Sequence, residues 1–200
     1  MYILKNRYGN QLSDVAQRLR ECGVSKLYHF TNIENVSSIK KLGGLYSRRA
    51  LVNRGISSDS FGGNYLSSYL DERLGLDNYV HLSFCSDHPM KYRLEQKGHT
   101  LVQFEINISV VDRRTVFSNV NATSSSAKIA SGLEGFNLVN LSATRRTYVC
   151  RDDPDFEYHQ AEALVPNFIP LSAISNFADI EAEERRYRAS ESDSTEVIWW

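Results

Sequence analysis

Three places in this 200-residue chain carry side chains capable of chemistry where core packing would not ask for them. Glu162 interrupts the small and apolar run Gln160-Ala161-Glu162-Ala163-Leu164-Val165. A carboxylate inside a strand must be solvated in a cleft or paired, because burying it bare is costly. His29 lies in the string Leu27-Tyr28-His29-Phe30-Thr31, and Thr31, two residues on, points to the same face of an extended chain. Ser83 and His81 occupy the polar side of a stretch whose apolar side is Val80, Leu82 and Phe84. Carboxylate, imidazole and hydroxyl at strand positions furnish a polar cleft, the setting in which perturbed ionisable groups concentrate. Each residue also has a plainer reading. His29 fits a packed, hydrogen-bonded ring, Thr31 an N-cap, Ser83 a neighbouring-strand contact, and Glu162 the partner of an arginine.

The elements that must position these groups follow from periodicity. Leu12, Val15, Ala16, Leu19 and Cys22 have helical spacing, stopped by Gly23. Lys26 to Phe30 reads as a short strand. Thr31-Asn32-Ile33-Glu34 has the form of a capping box opening a helix with Ile33, Val36, Ile39 and Leu42 inward, closed by Gly43-Gly44. Tyr46 to Asn78, with glycines at 55, 62, 63 and 75, reads as a long loop holding at most one short helix, a length that marks a functional element or lid. Strands are expected at Tyr79–Phe84, Leu101–Ile108, Thr115–Ser118 and Ala161–Val165, the last of the chain. Pro89 suits the first turn of a helix, and a small helix is expected after Ser124. Beyond Asp179 a charged helix frays into a tail ending in the apolar Ile198-Trp199-Trp200. The sum is one mixed α+β domain over residues 1–200, with an N-terminal helix in 1–25 and a charged helix or tail in 180–200.

Composition narrows the class. With 42% hydrophobic and 24% charged residues the chain has the makeup of an ordinary globular domain. No apolar run approaches the roughly 20 residues that span a bilayer, and the N-terminus lacks a signal-peptide pattern, so a cytoplasmic location without membrane contact is expected. Cys22, Cys85 and Cys150 are scattered and odd in number, which argues against disulfides and against a metal knuckle, and leaves a zinc site only if distant His and Cys assemble one. A net charge of −1 means that any nucleic-acid grip must be local. Arg48, Arg49 and Arg54 form one candidate patch; Arg145, Arg146 and Arg151 form another.

Taken in order, LYHFTNIENVSSI, YVHLSF with CSDHPMKYR, TVFSN and HQAEALVP resemble the DarT-type DNA ADP-ribosyltransferases, the toxins of toxin–antitoxin systems. The resemblance runs from Leu27 to Ile174; its most specific pieces are the Tyr-His-x-Thr start and the Gln-Ala-Glu strand. The front half, GGLYSRRAL then RGIS, is closer to the branch that modifies guanine than to the thymidine branch. The resemblance implies an ADP-ribosyltransferase fold, a split, twisted β core with flanking helices and NAD⁺ in the cleft. It implies Glu162 as the catalytic carboxylate, with Arg48 or Arg73 assisting and Arg93 as a further candidate clamp. His29, Phe30, Thr31, Ser83 and Tyr92 would form the NAD⁺ pocket, Tyr92 by stacking on nicotinamide. Ser83 stands where many relatives carry an aromatic ring. The loop from Asn140 to Tyr158 would recognise substrate, through Arg145, Arg146, Tyr148 and Arg151.

The chemistry implied is transfer of ADP-ribose from NAD⁺, without a metal, to a base of single-stranded DNA, guanine before thymine. A carboxylate bound to the ribose 2-hydroxyl stabilises the cationic character that develops as nicotinamide leaves, and a base reached this way must be unstacked. An antitoxin with an ADP-ribosyl-removing macrodomain is the implied partner, and phage defence the implied setting. Alternatives are the same reaction on RNA, a protein target, or a non-catalytic nucleic-acid-binding module of the same fold.

Overall fold

The computed structural model describes residues 12–56 and 71–195. Helix α1 (Asp14–Glu21) starts at Ser13, whose hydroxyl accepts the Ala16 N–H, and buries Val15, Ala16 and Leu19. Strand β1 (Lys26–Asn32) leads to a short 3₁₀ turn (Ile33–Asn35) and α2 (Val36–Leu42), which Gly43 ends in the left-handed conformation at φ 81°. Strand β2 (Gly44–Tyr46) and helix α3 (Arg48–Val52) follow. After residues 71–74, which are helical, and a 3₁₀ turn (Leu76–Asn78) come β3 (Tyr79–Ser83), α4 (Pro89–Glu95) and β4 (Leu101–Asn107). Then come β5 (Val116–Ser118), β6 (Ile129–Ser131) and the short helices α5 (Gly132–Phe136), α6 (Leu141–Thr144) and α7 (Phe156–His159). Strands β7 (Glu162–Pro166) and β8 (Phe168–Pro170) and the long helix α8 (Phe177–Thr195) complete the chain.

Six strands form one twisted antiparallel sheet in the order β4-β1-β3-β7-β5-β6, and β2 pairs with β8 apart from it. The alternation read along Leu101–Ile108 is the reason for its edge: Val102, Phe104 and Ile106 are buried and pair with β1 from Asn32↔Leu101 to Lys26↔Asn107. Between β1 and β3 the ladder narrows to a single registered pair, Tyr28↔Ser83. The sheet is therefore split at this seam into β4-β1 and β3-β7-β5-β6. In the small sheet Gly44 is required: a Cβ there would lie 2.1 Å from the Ile169 carbonyl oxygen. The core joins α1, α2 and the inner sheet face around Leu19, Leu27, Phe104, Ile106 and Phe117, all fully buried.

Four local expectations are corrected. Thr31 is not the N-cap: the strand continues to Asn32, whose side chain accepts the Glu34 N–H. The Asn side chain bonds two residues on as readily as Thr, so the capping-box pattern placed the cap one residue early. The stretch after Ser124 makes turns and then β6, because Val116–Ser118 supplies an open edge for Ile129–Ser131. The chain continues beyond β7 into β8, which pairs with β2. The region after Tyr46 holds helix α3 and a helical turn at 71–74. The remainder of that loop, most of the N-terminal residues before α1 and Trp199-Trp200 lie outside the described residues.

Candidate active site

The seam between β1 and β3 opens into a cavity of about 350 Å³ lined by His29, Phe30, Thr31, His81, Ser83 and Glu162, among others. That volume is in the range of small-molecule sites. Glu162 is the first residue of β7 and stands in register with Ser83 on one side and Ser118 on the other. It is 8% exposed. Its Oε2 accepts from the Ala122 N–H at 3.2 Å and from His81 Nδ1 at 3.3 Å. Its Oε1 has one long contact, 3.4 Å from Asn121 Nδ2, and is the oxygen left for a ligand hydroxyl. The carboxylate is thus oriented through one oxygen and open through the other.

His81 does the orienting. Its Nε2 faces the Leu76 carbonyl at 3.3 Å while Nδ1 faces Glu162, so both ring nitrogens point at acceptors. Burial alone would lower its pKa, but the Glu162 hydrogen bond and the charges of Glu162 and Asp71 outweigh burial and raise it to about 9. The ring is an imidazolium at neutral pH. Burial pushes the Asp71 carboxyl up, against the nearby His81 charge. Asp71 also lines the cavity.

Two other histidines behave oppositely. His29 Nδ1 lies 3.0 Å from the His81 carbonyl oxygen and must donate to it, so a side chain bridges the seam that the backbone leaves unpaired. Burial lowers its pKa, and the neutral ring keeps Nε2 as an acceptor. His88 caps α4: its Nδ1 accepts the Met90 N–H, which puts the ring proton on Nε2. Burial pushes its pKa down to about 4. His88 Nε2 is buried with no hydrogen-bond partner among the described residues, on a residue that lines the cavity. An orphaned buried donor at a cavity wall is a place for a ligand acceptor.

The structure brings six of the expected residues to this cavity: His29, Phe30, Thr31, Ser83, Arg93 and Glu162. Thr31 Oγ1 accepts from Asn35 Nδ2 at 2.9 Å, and Phe30 packs 5.7 Å from the His88 ring. Tyr92 is not brought in. Helix α4 lines the cavity with Met90, Arg93, Leu94 and, just past it, Lys97, at helical spacing that turns Tyr92 outward to 64% exposure. Arg48 opens α3 and does not line the cavity, although its charge lowers the Asp71 carboxyl. Arg73 is exposed in the helical turn 71–74.

The second arginine cluster lies elsewhere. Arg145 donates to the Cys22 carbonyl, and Arg146 holds Asp153 and Asp155. Tyr148 is 90% exposed at φ 56° with its N–H bound by Asp87, and Arg151 lines a groove with Asn121 and Gln160. Asn121 touches both this groove and the main cavity. The residues sequence reasoning missed are Asp71, His88, Asn121 and the Ala122 N–H. No periodic pattern marks them; only for His81, placed on a polar strand face beside Ser83, did a signal exist.

The family model described as "ssDNA thymidine ADP-ribosyltransferase, DarT" matches residues 28–191. Among solved structures, Thermus sp. 2.9 DarT in complex with ADP-ribosylated ssDNA aligns with TM-score 0.62 at 18% identity, covering 82% of this chain and 89% of that one. Thermosipho africanus DarTG in complex with ADP-ribose aligns with TM-score 0.62 at 23% identity, over 76% of this chain and 43% of that one. Thermus sp. 2.9 DarT in complex with NAD⁺ aligns with TM-score 0.58 at 17% identity, over 82% and 89% of the two chains. No curated protein matches. These alignments give the chain the DarT fold, and the family match over most of its length settles what the motifs implied: the chain belongs to the DarT family of single-stranded-DNA ADP-ribosyltransferases.

Proposed function

We propose that this chain transfers ADP-ribose from NAD⁺ to a base of single-stranded DNA, with Glu162 as the catalytic carboxylate. The observation that carries the proposal is the Glu162 geometry: Oε2 fixed by His81 and Ala122, Oε1 open at the cavity. A carboxylate so placed accepts the 2-hydroxyl of the nicotinamide ribose and stabilises positive charge at C1 as the C1–N bond breaks and neutral nicotinamide leaves. A base nitrogen then bonds C1 and loses its proton to solvent or to a carboxylate. His29 Nε2 suits a ribose hydroxyl, and His88 Nε2–H a carbonyl or phosphate oxygen of the same substrate. Arg93 and Lys97 line the same cavity and suit the diphosphate, with Arg48 supporting the Asp71 side. Arg151 lines the groove for the DNA strand and suits a phosphate, and the exposed Tyr148 ring of the same segment suits stacking on a base.

The family's description names thymidine, and this shifts the weight away from guanine, which the GGLYSRRAL segment had favoured. A toxin role beside an antitoxin partner extends this reading, and the likeness to Thermosipho africanus DarTG, of which this chain covers 43%, supports it. No helix among the described residues is long and apolar enough to cross a membrane. The test is mass spectrometry of single-stranded oligonucleotides incubated with NAD⁺ and the full chain. The expected result is one ADP-ribose adduct on thymine-containing DNA that disappears with Glu162→Gln. Adducts confined to guanine would reverse the base, and adducts on RNA alone would reverse the strand.

A further inference from the structure

Close to the Glu162 wall, donor groups from distant parts of the chain converge. Cys85 Sγ, a carboxylate oxygen of Asp87 and a ring nitrogen of His159 lie within 4.8 Å of one another. Cys85 and His159 are 3% and 1% exposed. The His159 tautomer decides what the cluster wants. Its Nδ1 lies 3.0 Å from the Ala143 carbonyl, which can only accept, so Nδ1 carries the proton. In the neutral ring Nε2 is a bare lone pair. It is buried, has no hydrogen-bond partner among the described residues, and faces Asp87 Oδ1 at 3.5 Å. A positive centre between the two, whether a metal ion or a ring proton, satisfies both. A histidine whose far nitrogen donates to a backbone carbonyl has the orientation of a metal-bound imidazole, and a thiol stands as third neighbour.

We propose that Cys85, Asp87 and His159 form a zinc site. Thiolate, imidazole and carboxylate together suit zinc rather than magnesium or calcium, and three protein ligands leave the fourth tetrahedral position to water. The metal replaces the thiol proton, which leaves to solvent. The spacing, Cys85 and Asp87 two apart and His159 far along the chain, carries no knuckle signature; only the fold assembles it.

The ligands also hold one segment. His159 ties back to Ala143, Cys85 Sγ donates to the His159 carbonyl in the metal-free thiol, and Asp87 Oδ2 accepts the Tyr148 N–H at 2.8 Å. A metal at this point braces the start, middle and end of the 143–159 segment, the middle through the Tyr148 backbone. That the braced segment contacts DNA rests on the transferase reading; the metal site does not.

The test needs neither NAD⁺ nor DNA. The reduced full chain is stripped with chelator, then titrated with Zn²⁺ against a chromogenic chelator and with Co²⁺ followed by absorption. One equivalent is expected, with the intense visible bands of tetrahedral cobalt and a thiolate charge-transfer band. That band should vanish in Cys85→Ser and survive Cys150→Ser and Cys22→Ser. Asp87→Asn should weaken binding by about tenfold or more, and zinc should slow proteolysis within residues 145–155. Circular dichroism establishes that Cys85→Ser is folded. Absence of a thiolate band in the wild type, or its survival in folded Cys85→Ser, overturns the site and leaves the cluster a His159–Asp87 contact alone. Stoichiometric zinc without loop protection upholds the site and overturns the brace.

Discussion

Strand β1 meets its two neighbours in opposite ways. Toward β4 it forms seven registered pairs and buries Leu27, Phe104 and Ile106 completely. Toward β3 it forms one, Tyr28↔Ser83, and the gap is bridged by the His29 ring donating to the His81 carbonyl. The first seam is closed by a full backbone ladder over an apolar inner face. The second is polar, satisfied by side chains, and keeps buried groups such as His88 Nε2 without a partner among the described residues. A sheet that zipped equally on both sides would be better paired and would have no cavity beside Glu162. Local rules of pairing are broken at the cavity and kept where the molecule is held together.

The largest expected effect tests the open seam. Glu162→Gln keeps the shape of the side chain and removes the charge that stabilises the developing cation. Adduct formation on oligonucleotides should fall about a thousandfold, with the thermal melt close to wild type. Activity within tenfold of wild type at equal protein would remove Glu162 from the chemistry. The matching test of the closed seam is Phe104→Ala, which should destabilise by about 3–5 kcal/mol in urea unfolding. Adduct formation per folded molecule should stay the same. If Phe104→Ala instead lost activity without losing stability, the division of labour between the two seams would be wrong.

A smaller effect sharpens the contrast through His81. Its folded pKa, about 9, lies above the ordinary 6.5, because the Glu162 hydrogen bond and the neighbouring carboxylates outweigh burial. A raised pKa means that the stabilisation is fully present below pH 6.5 and is lost as pH rises through about 9. Its upper bound is about 3 kcal/mol, and partial solvent access reduces it. His81→Gln should flatten the decline in stability between pH 6.5 and 9.5 and cut adduct formation about tenfold, since the carboxylate loses its fixed orientation. A wild-type stability profile flat over that window would show His81 to be neutral.

What the sequence could reveal divides along the same line. The closed seam was legible because alternation at Val102, Phe104 and Ile106 needs only one period and one buried face. Glu162 was legible because a charge inside an apolar run is out of place, and His29 because it shares a face with Thr31. Phe30, Ser83 and the strand boundaries also came close. The surroundings of Glu162 were not legible. Asn121 and the Ala122 N–H come from a turn between β5 and β6, Asp71 from a helical turn before β3, and His88 from a cap. Each is local turn chemistry given a role only by tertiary contact. Tyr92 failed for another reason: an aromatic near a motif says nothing about helix phase, and the phase of α4 turns it to solvent while Arg93 faces the cavity.

The smallest effect separates two arginines that look alike in sequence. Arg146 places its guanidinium between Asp153 and Asp155, at 2.6 Å from the nearer carboxylate oxygen. Its positive charge is balanced before any phosphate arrives, and the ion pair raises its pKa further. Arg151 is exposed on the groove that also holds Asn121 and Gln160. A phosphate contact contributes to the salt dependence of DNA binding by about one unit of slope. Arg151→Ala should therefore lower the slope of log affinity against log salt by about one, measured by fluorescence anisotropy with a single-stranded oligonucleotide. Arg146→Ala should leave the slope unchanged, because it removes one cation that two carboxylates already engage. Equal loss of slope in both variants would mean that the Asp153–Asp155 clamp opens on DNA binding, and that Arg146 belongs to the binding surface after all.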